Sequence, residues 1–129
     1  MATSFTLGKH ERLKSNLAIQ DLLKRGKSLT AYPLKIYWNI SEDSRQQSPV
    51  RMAVSVPRRR FRRAVDRNLL KRRLREAYRQ NKDILYDPLR KKGLRVSLII
   101  LFLADEFLPF EPMDSKVRDL LGRLADKLP

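Results

Sequence analysis

Basic side chains are the residues of this sequence whose number and spacing could do chemistry, and the chemistry they suit is the binding of phosphate. Residues 58–79 contain eleven Lys or Arg residues against two acids, Asp66 and Glu76. This segment therefore carries nine of the fifteen net positive charges of the chain. A surplus so concentrated favours a polyanionic partner, above all a nucleic acid. A merely solvated basic surface and an anionic membrane surface are the weaker alternatives.

Residues suited to covalent catalysis are scarce. The chain has no cysteine and a single histidine, His10, whereas zinc sites need Cys or His clusters and nucleophilic triads need a histidine. The acidic pairs Glu42/Asp43 and Asp105/Glu106 lie in predicted loops, where carboxylates are usually solvated. The four glycines are isolated, so no phosphate-binding glycine loop is present. We expect no catalytic or metal-binding residue in the polypeptide itself.

A helix is predicted to position the basic segment. On a helical wheel of about 100° per residue, one side of residues 62–79 is apolar and consists of Leu70, Leu74, Ala77 and Tyr78. The adjacent flank consists of Asn68, Lys71, Arg72, Arg75 and Arg79. Like charges four residues apart, such as Lys71 and Arg75, destabilise a helix. A helix that keeps them is expected to pack by its apolar side and to present the flank to an anionic ligand.

The other patterns predict one α+β domain over residues 1–129, with a basic arm at 1–14. A short helix is expected between Ser15 as N-cap and Gly26 as stop. Residues 33–40 alternate as a half-buried strand, residues 41–49 form a polar mobile loop, and residues 50–56 resume the alternation. We expect these two strands to pair as a hairpin.

The second half of the chain supplies the predicted centre of the sheet. After Pro88 a basic turn leads into residues 94–103, which are apolar on both faces, as a central strand is. A last amphipathic helix is expected to begin at Asp114 or Ser115 and to pack through Val117, Leu120, Leu121, Leu124 and Leu128. No signal peptide and no apolar run of membrane-spanning length is visible, so we expect a cytoplasmic protein without a membrane partner.

The order of these elements and four motifs resemble the protein subunit of bacterial ribonuclease P. The motifs are RLKS at 12–15, GKS at 26–28, AVSVP at 53–57 and, most specifically, AVDRNLLKRRLRE at 64–76. The last is similar to the family's signature helix, in which Ala-Val-x-Arg-Asn-Arg is followed by a Lys-Arg pair and then Arg-Glu. The resemblance covers roughly residues 5–103.

The resemblance implies an α/β sandwich with a central four-stranded sheet, flanking helices and a left-handed βαβ crossover, against the usual right-handed rule. It also implies a function in maturing the 5′ end of tRNA. In the family an RNA subunit and its Mg²⁺ ions cleave the phosphodiester bond. The protein binds that RNA subunit and the 5′ leader of precursor tRNA, and it is inactive alone.

Site residues follow from the motif positions. Contacts with the RNA subunit are implied for Arg67, Asn68, Lys71, Arg72 and Arg75, together with the preceding basic run Arg58, Arg59, Arg60, Arg62 and Arg63. Leader contacts are implied for Lys35, Tyr37, Arg12 and Lys14. Leu69 stands where the signature has its third residue, an arginine, and Arg73 or the basic run is expected to replace it. Ile19 and Leu23 stand where aromatic residues are common, so weaker stacking is expected.

Two other classes of protein share some of these features. A ribosomal or other structured-RNA-binding protein would have the same charge and a similar small domain. A helix-turn-helix DNA-binding protein would place its basic residues on a recognition helix after a tight turn. A strand pattern precedes the basic helix here, which argues against the second class.

Overall fold

A four-stranded sheet with helices on both faces is the framework of this protein. The computed structural model describes residues 7–43 and 45–129. Its helices are α1 (Asn16–Arg25), α2 (Ala64–Asn81), α3 (Asp83–Lys92) and α4 (Phe110–Asp126), with a 3-10 turn at Lys9–Glu11. Its strands are β1 (Lys27–Ala31), β2 (Leu34–Ile40), β3 (Val50–Ser55) and β4 (Val96–Phe102), in the order β1-β2-β4-β3. This is the α+β architecture that the sequence predicts, with the four-stranded sheet that the family resemblance implies. Residues 1–6 of the predicted basic arm and residue 44 of the predicted loop lie outside the described part.

Strand β4 occupies the middle of the sheet, as its apolar sequence predicts. Leu98 and Ile100 face the main core, where both are almost completely buried. Ile99 points to the opposite face and packs with Leu13 and Leu22 beneath α1. Because both of its faces need apolar cover, β4 requires helices on either side of the sheet.

The predicted hairpin between residues 33–40 and 50–56 is wrong. Strand β4 lies between β2 and β3, pairing antiparallel with the former and parallel with the latter. A strand covered on both faces has its backbone N–H and C=O groups shielded from water, so it needs a paired strand on each edge. This requirement outweighs the short separation of β2 and β3 along the chain. The hairpin partner of β2 is instead β1, with Leu29 opposite Ile36. Strand β1 was not predicted, because only one of its five side chains is buried and its sequence therefore lacks a clear alternation.

Helices α2 and α3 connect the parallel strands β3 and β4, which makes the βαβ unit that the resemblance implies. The handedness of this crossover stays a prediction. Part of the connection, residues 83–92, is helix α3 and not the expected basic turn. Pro88 lacks the N–H that would bond within the helix. Burial of Leu85, Tyr86 and Leu89 nevertheless holds the helix together. Gly93, with φ at 66°, ends it in the left-handed conformation.

The ends of the other helices agree only in part with the predictions. Ser15 caps α1 as predicted, because its Oγ accepts the amide N–H of Ala18 at 3.2 Å. Helix α4 begins earlier than predicted, at Phe110, since buried Met113 adds a first turn that packs on the core. Asp114 is therefore inside α4 and not its cap.

Two glycines make a matched test of this packing. The backbone of Gly26 is extended, but a Cβ there would lie 2.4 Å from the carbonyl oxygen of Leu22. A Cβ at Gly122, inside α4, would meet nothing within 4 Å. We expect Gly26→Ala to lower the free energy of unfolding by about 1–3 kcal/mol. Gly122→Ala should raise it by about 0.5–1 kcal/mol, because Ala favours helix. Urea denaturation followed by circular dichroism measures both, and a Gly26→Ala protein as stable as wild type would contradict the close approach.

Candidate nucleic-acid interface

Helix α2 separates an apolar face from a basic flank, as the wheel predicts. Leu70, Leu74, Ala77 and Tyr78 are fully buried in the main core. The flank faces solvent: Asn68, Arg72 and Arg75 are exposed, and Lys71 and Arg79 are half-buried. Packing thus fixes the direction in which the basic side chains point.

Within the described part of the chain, most cations of this flank have no acidic partner. Glu76 and Arg79 pair through two hydrogen bonds, of 2.9 and 2.5 Å. The bond from Arg79 is the main cause that lowers the pKa of Glu76. The side chains of Lys71, Arg72 and Arg75 form no hydrogen bond or ion pair with any residue in the described part of the chain. Three neighbouring cations without a counter-charge make a surface suited to phosphate groups.

Arg67, a predicted RNA contact, has a structural task that the sequence did not indicate. Its Nη1 donates to the carbonyl oxygens of Phe61 and Arg62, both at 2.9 Å. Phe61 is buried, and its ring lies 5.8 Å from that of Phe102, centroid to centroid. Arg67 therefore ties the loop that precedes α2 to the helix, while its neighbour Asn68 remains exposed.

A second arginine, Arg60, also fastens the basic loop at 58–63 through a hydrogen bond to a backbone carbonyl oxygen. The Nη1 of Arg60 donates to the carbonyl oxygen of Leu103, and its Nε lies 3.1 Å from a carboxylate oxygen of Asp105. The other arginines of the loop are exposed and have no hydrogen bond or ion pair from their side chains within residues 7–43 and 45–129; they are Arg58, Arg59, Arg62 and Arg63. These four extend the basic surface beyond the beginning of α2.

Arg73 is not placed to replace the arginine that the signature has at position 69. Its Nη1 donates to the carbonyl oxygen of Leu108, in the connector between β4 and α4. Leu69 itself is half-buried. Of the two replacements considered, only the basic loop at 58–63 presents exposed cations.

The predicted leader contacts lie on the sheet face that α1 partly covers. Tyr37 is half-buried and sits opposite Ile99 of β4, which in turn pairs with Ala53 of β3. The Nζ of Lys35 lies 4.9 Å from the centroid of the Tyr37 ring. We call the four residues Lys35, Tyr37, Arg12 and Lys14 the leader surface.

Arg12 and Lys14 line a depression of about 290 Å³ beside Ile19 and Ala53, and Arg75 of α2 forms its rim. Lys35 and Tyr37 lie outside this depression, on β2. Ile19 contributes an aliphatic wall, whereas Leu23 is partly exposed elsewhere on α1. The structure thus divides the leader surface into a basic part and an aromatic part.

The leader surface and the flank of α2 meet at Arg12 and Arg75. Both residues line the depression just described and also a second one, of about 410 Å³, with Arg72 and Arg79. The pKa of Arg75 is lowered, first by burial and then by the positive charge of Arg12. No local pattern indicates that these two arginines, 63 positions apart, are neighbours. No local pattern indicates that Lys82, next to the basic helix, is buried.

The described residues contain neither a cluster of metal ligands nor a membrane-spanning helix. Within residues 7–43 and 45–129, no three side chains of His, Cys, Asp or Glu lie together as ligands for a metal ion. No helix in that same part of the chain is long and apolar enough to cross a membrane.

Comparisons with known proteins agree on one family. The family model described as Ribonuclease P matches residues 7–125. The ribonuclease P protein component of Porphyromonas gingivalis is 35% identical over 126 residues, covering 98% of this chain and 91% of that protein. The component from Chlorobium phaeobacteroides is 31% identical, covering 92% and 88%.

Solved structures share the fold. The ribonuclease P protein of Staphylococcus aureus superposes with a TM-score of 0.70 at 20% identity, covering 88% of this chain and 94% of that one. The protein from Thermotoga maritima gives 0.69 at 24% identity, covering 88% and 96%.

The anchoring role of Arg67 can be tested by stability alone. Arg67→Met removes two charge-assisted hydrogen bonds and leaves two carbonyl oxygens without their donor. We expect it to lower the free energy of unfolding by about 1–3 kcal/mol. Arg62→Met, in the same loop, removes an exposed side chain and should change the free energy by less than about 0.5 kcal/mol. Urea denaturation measures the free energy of unfolding of the two variants. Equal values would show that Arg67 does not hold the loop in place.

Proposed function

Because the chain belongs to the ribonuclease P protein family, we propose that it binds the RNA subunit of ribonuclease P and the 5′ leader of precursor tRNA, and so assists the endonucleolytic cleavage that matures the 5′ end of tRNA. The observation that carries this proposal is the row Lys71, Arg72 and Arg75. Their side chains have no acidic partner among the described residues. Arg72 and Arg75 also border the depression that Arg12 lines.

The flank of α2 is the proposed contact with the RNA subunit. Lys and Arg side chains bind phosphate oxygens, and Asn68 can donate to a ribose or phosphate oxygen. The exposed arginines of the 58–63 loop lengthen this surface. Arg60 and Arg67 contribute indirectly, because their hydrogen bonds hold the loop in place. A rigid basic surface loses little conformational entropy when it binds.

The leader surface is proposed to hold the single-stranded 5′ extension. An aromatic ring can stack on a base of any sequence, and a nearby cation attracts the backbone. Tyr37 and Lys35 offer this pair on β2, 4.9 Å apart from Nζ to ring centroid. Arg12 and Lys14 would follow the backbone of the same strand toward α2.

Mg²⁺ is assigned in this proposal mainly to the RNA subunit. The described residues offer no cluster of carboxylates or imidazoles for a metal ion. The polypeptide contributes positive charge near the RNA, which reduces the demand for divalent cations as counterions. We place the work of this assembly in the cytoplasm, as the sequence predicts.

Reconstitution tests the proposal directly. The purified protein with Mg²⁺ should leave precursor tRNA intact, since no catalytic constellation is visible in it. Adding the ribonuclease P RNA of the same organism should give cleavage at the 5′ end of the tRNA sequence, at a Mg²⁺ concentration where the RNA alone is slow. Cleavage that follows the protein after nuclease treatment would contradict the proposal. So would selective co-purification of the protein with ribosomal RNA, which would support the ribosomal alternative.

The aromatic part of the leader surface has its own test. Tyr37→Ala should weaken the binding of precursor tRNA with a leader of several nucleotides by about 1–3 kcal/mol, the value of one stacked base. Mature tRNA should bind as before, and Tyr37→Phe should behave as wild type because it keeps the ring. Tyr32→Ala is the matched control, since Tyr32 is 66% exposed in the turn between β1 and β2. Filter binding with precursor tRNA and with mature tRNA measures the effect. Equal losses of affinity for the two RNAs would contradict leader binding by Tyr37.

A further inference from the structure

An ion pair between buried Lys82 and partly buried Glu11 joins the beginning of the described chain to the corner between α2 and α3. Lys82 is 3% exposed, and its Nζ lies 2.8 and 3.2 Å from the two carboxylate oxygens of Glu11. The same carboxylate accepts the hydroxyl of Tyr86 at 2.5 Å and the amide N–H of Gly8 at 2.9 Å. We call Glu11, Lys82 and Tyr86 the anchor.

Hydrogen-bond donors surround the carboxylate of Glu11, as its partial burial requires. A buried carboxylate is costly unless donors surround it. Burial by itself would raise the pKa of Glu11, but the hydrogen bonds from Lys82, Tyr86 and Gly8 outweigh it and lower the pKa. The carboxyl group is therefore ionised at neutral pH and binds its partners strongly. Tyr86 is fixed in turn by the hydroxyl of Tyr78, 3.0 Å away.

The residues that follow the anchor are fixed by the sheet. Arg12 forms a bridge with Met52 of β3. The amide N–H of Leu13 donates to the carbonyl oxygen of Met52 at 2.8 Å, and the Leu13 side chain is buried beneath α1. Arg12 thus stands between two fixed points, the anchor at position 11 and the sheet at position 13.

This arrangement keeps Arg12 in an unfavourable place. Burial lowers the pKa of Arg75, and the positive charge of Arg12 lowers it further, so the two guanidinium groups repel each other. Arg12 is exposed, and a loose segment would let it turn away into solvent. Glu76 also lines the larger depression, but its carboxylate is paired with Arg79. A phosphate between Arg12 and Arg75 would relieve their repulsion, and the two depressions that both arginines line leave room for one.

We propose that Glu11, Lys82 and Tyr86 are positioning residues, which hold Arg12 beside Arg75 so that the two arginines grip one phosphate of the RNA where the leader surface meets the flank of α2. The inference rests on the proposed function. The phosphate belongs either to the 5′ leader or to the RNA subunit, and the two kinds of binding measurement below distinguish them.

The test removes the anchor without leaving a buried charge unpaired. Losing one partner of a buried pair can unfold a protein, whereas replacing both is often tolerated. The variant is therefore the double substitution Glu11→Ala with Lys82→Met. Its matched control is Asp114→Ala with Arg118→Met, which removes another pair, 2.5 Å between Nη2 and Oδ2, in α4. Asp114 also accepts from Asn81 of α2, so the control loosens the fold but touches neither Arg12 nor Arg75.

Hydrogen exchange and binding are measured on the full chain. In the anchor variant the amide of Leu13 should exchange faster, at least tenfold, while in the control it should exchange as in wild type. The affinity of the protein for the ribonuclease P RNA, or that of the holoenzyme for precursor tRNA, should fall roughly tenfold, about one charge-assisted hydrogen bond. Whichever of the two affinities falls identifies the RNA that supplies the phosphate.

The decisive result is the combination with Arg12→Ala. Arg12→Ala alone should cost as much affinity as the anchor variant, and adding it to that variant should cost little more, because a misplaced Arg12 is already lost. Losses that simply add, an anchor variant with wild-type affinity, a control variant with the same loss, or an Arg12→Ala protein without any loss would each overturn the inference. Lys71→Ala with Arg72→Ala reports on the proposed function separately, since unchanged RNA binding in that variant would remove the basis of both.

Discussion

The structure depends on strand β4, whose side chains are mostly apolar and buried on both faces of the sheet. Strand β4 buries Leu98 and Ile100 on one side and Ile99 on the other. Its side chains therefore need apolar cover on both faces of the sheet. Its backbone N–H and C=O groups, which this cover shields from water, need a paired strand along both edges. Strand β2 takes one edge antiparallel, and β3 takes the other in parallel. A parallel neighbour requires a long connection across one face, and α2 and α3 form that connection.

The basic surface is a consequence of this arrangement. Because α2 packs Leu70, Leu74 and Tyr78 into the main core, its remaining sides are left at the surface. Lys71, Arg72 and Arg75 lie on these sides, and Arg75 borders the depression beside β3 that Arg12 and Leu13 also line. The same packing that stabilises the sheet thus gathers cations from α2 and from the beginning of the chain.

Arginine serves two different purposes in this protein. Arg60, Arg67 and Arg73 donate to backbone carbonyl oxygens and fasten the segments that surround α2. The planar guanidinium group suits this task, since it can donate several hydrogen bonds in fixed directions. Arg79 pairs with Glu76. The side chains of Arg58, Arg59, Arg62, Arg63, Arg72 and Arg75 are exposed and have no hydrogen bond or ion pair within residues 7–43 and 45–129. The number of basic residues alone overstates the binding surface, because some of them hold the backbone in place through hydrogen bonds.

Local patterns in the sequence determined the elements and their faces. The apolar and basic sides of α2, the cap at Ser15 and the central position of β4 all follow from the spacing of neighbouring residues, and the structure confirms them. The signature at 64–76 and its neighbouring motifs led to the family that the comparisons show. Helix α3 was missed because Pro88 and a run of basic residues suggested a turn, while the burial that stabilises the helix depends on distant partners.

Contacts between distant residues were decided only by the tertiary structure. The chain order of β2 and β3 suggested a hairpin, but sheet order depends on which strand most needs two neighbours, and that is a property of the whole core. Lys82 reads as one more surface charge until Glu11, 71 positions away, is brought against it. The proximity of Arg12 and Arg75 likewise exists only after the N-terminal segment has joined β3. Spacing along the chain encodes the faces of an element, whereas the partners of each face are selected by the free energy of the assembled fold.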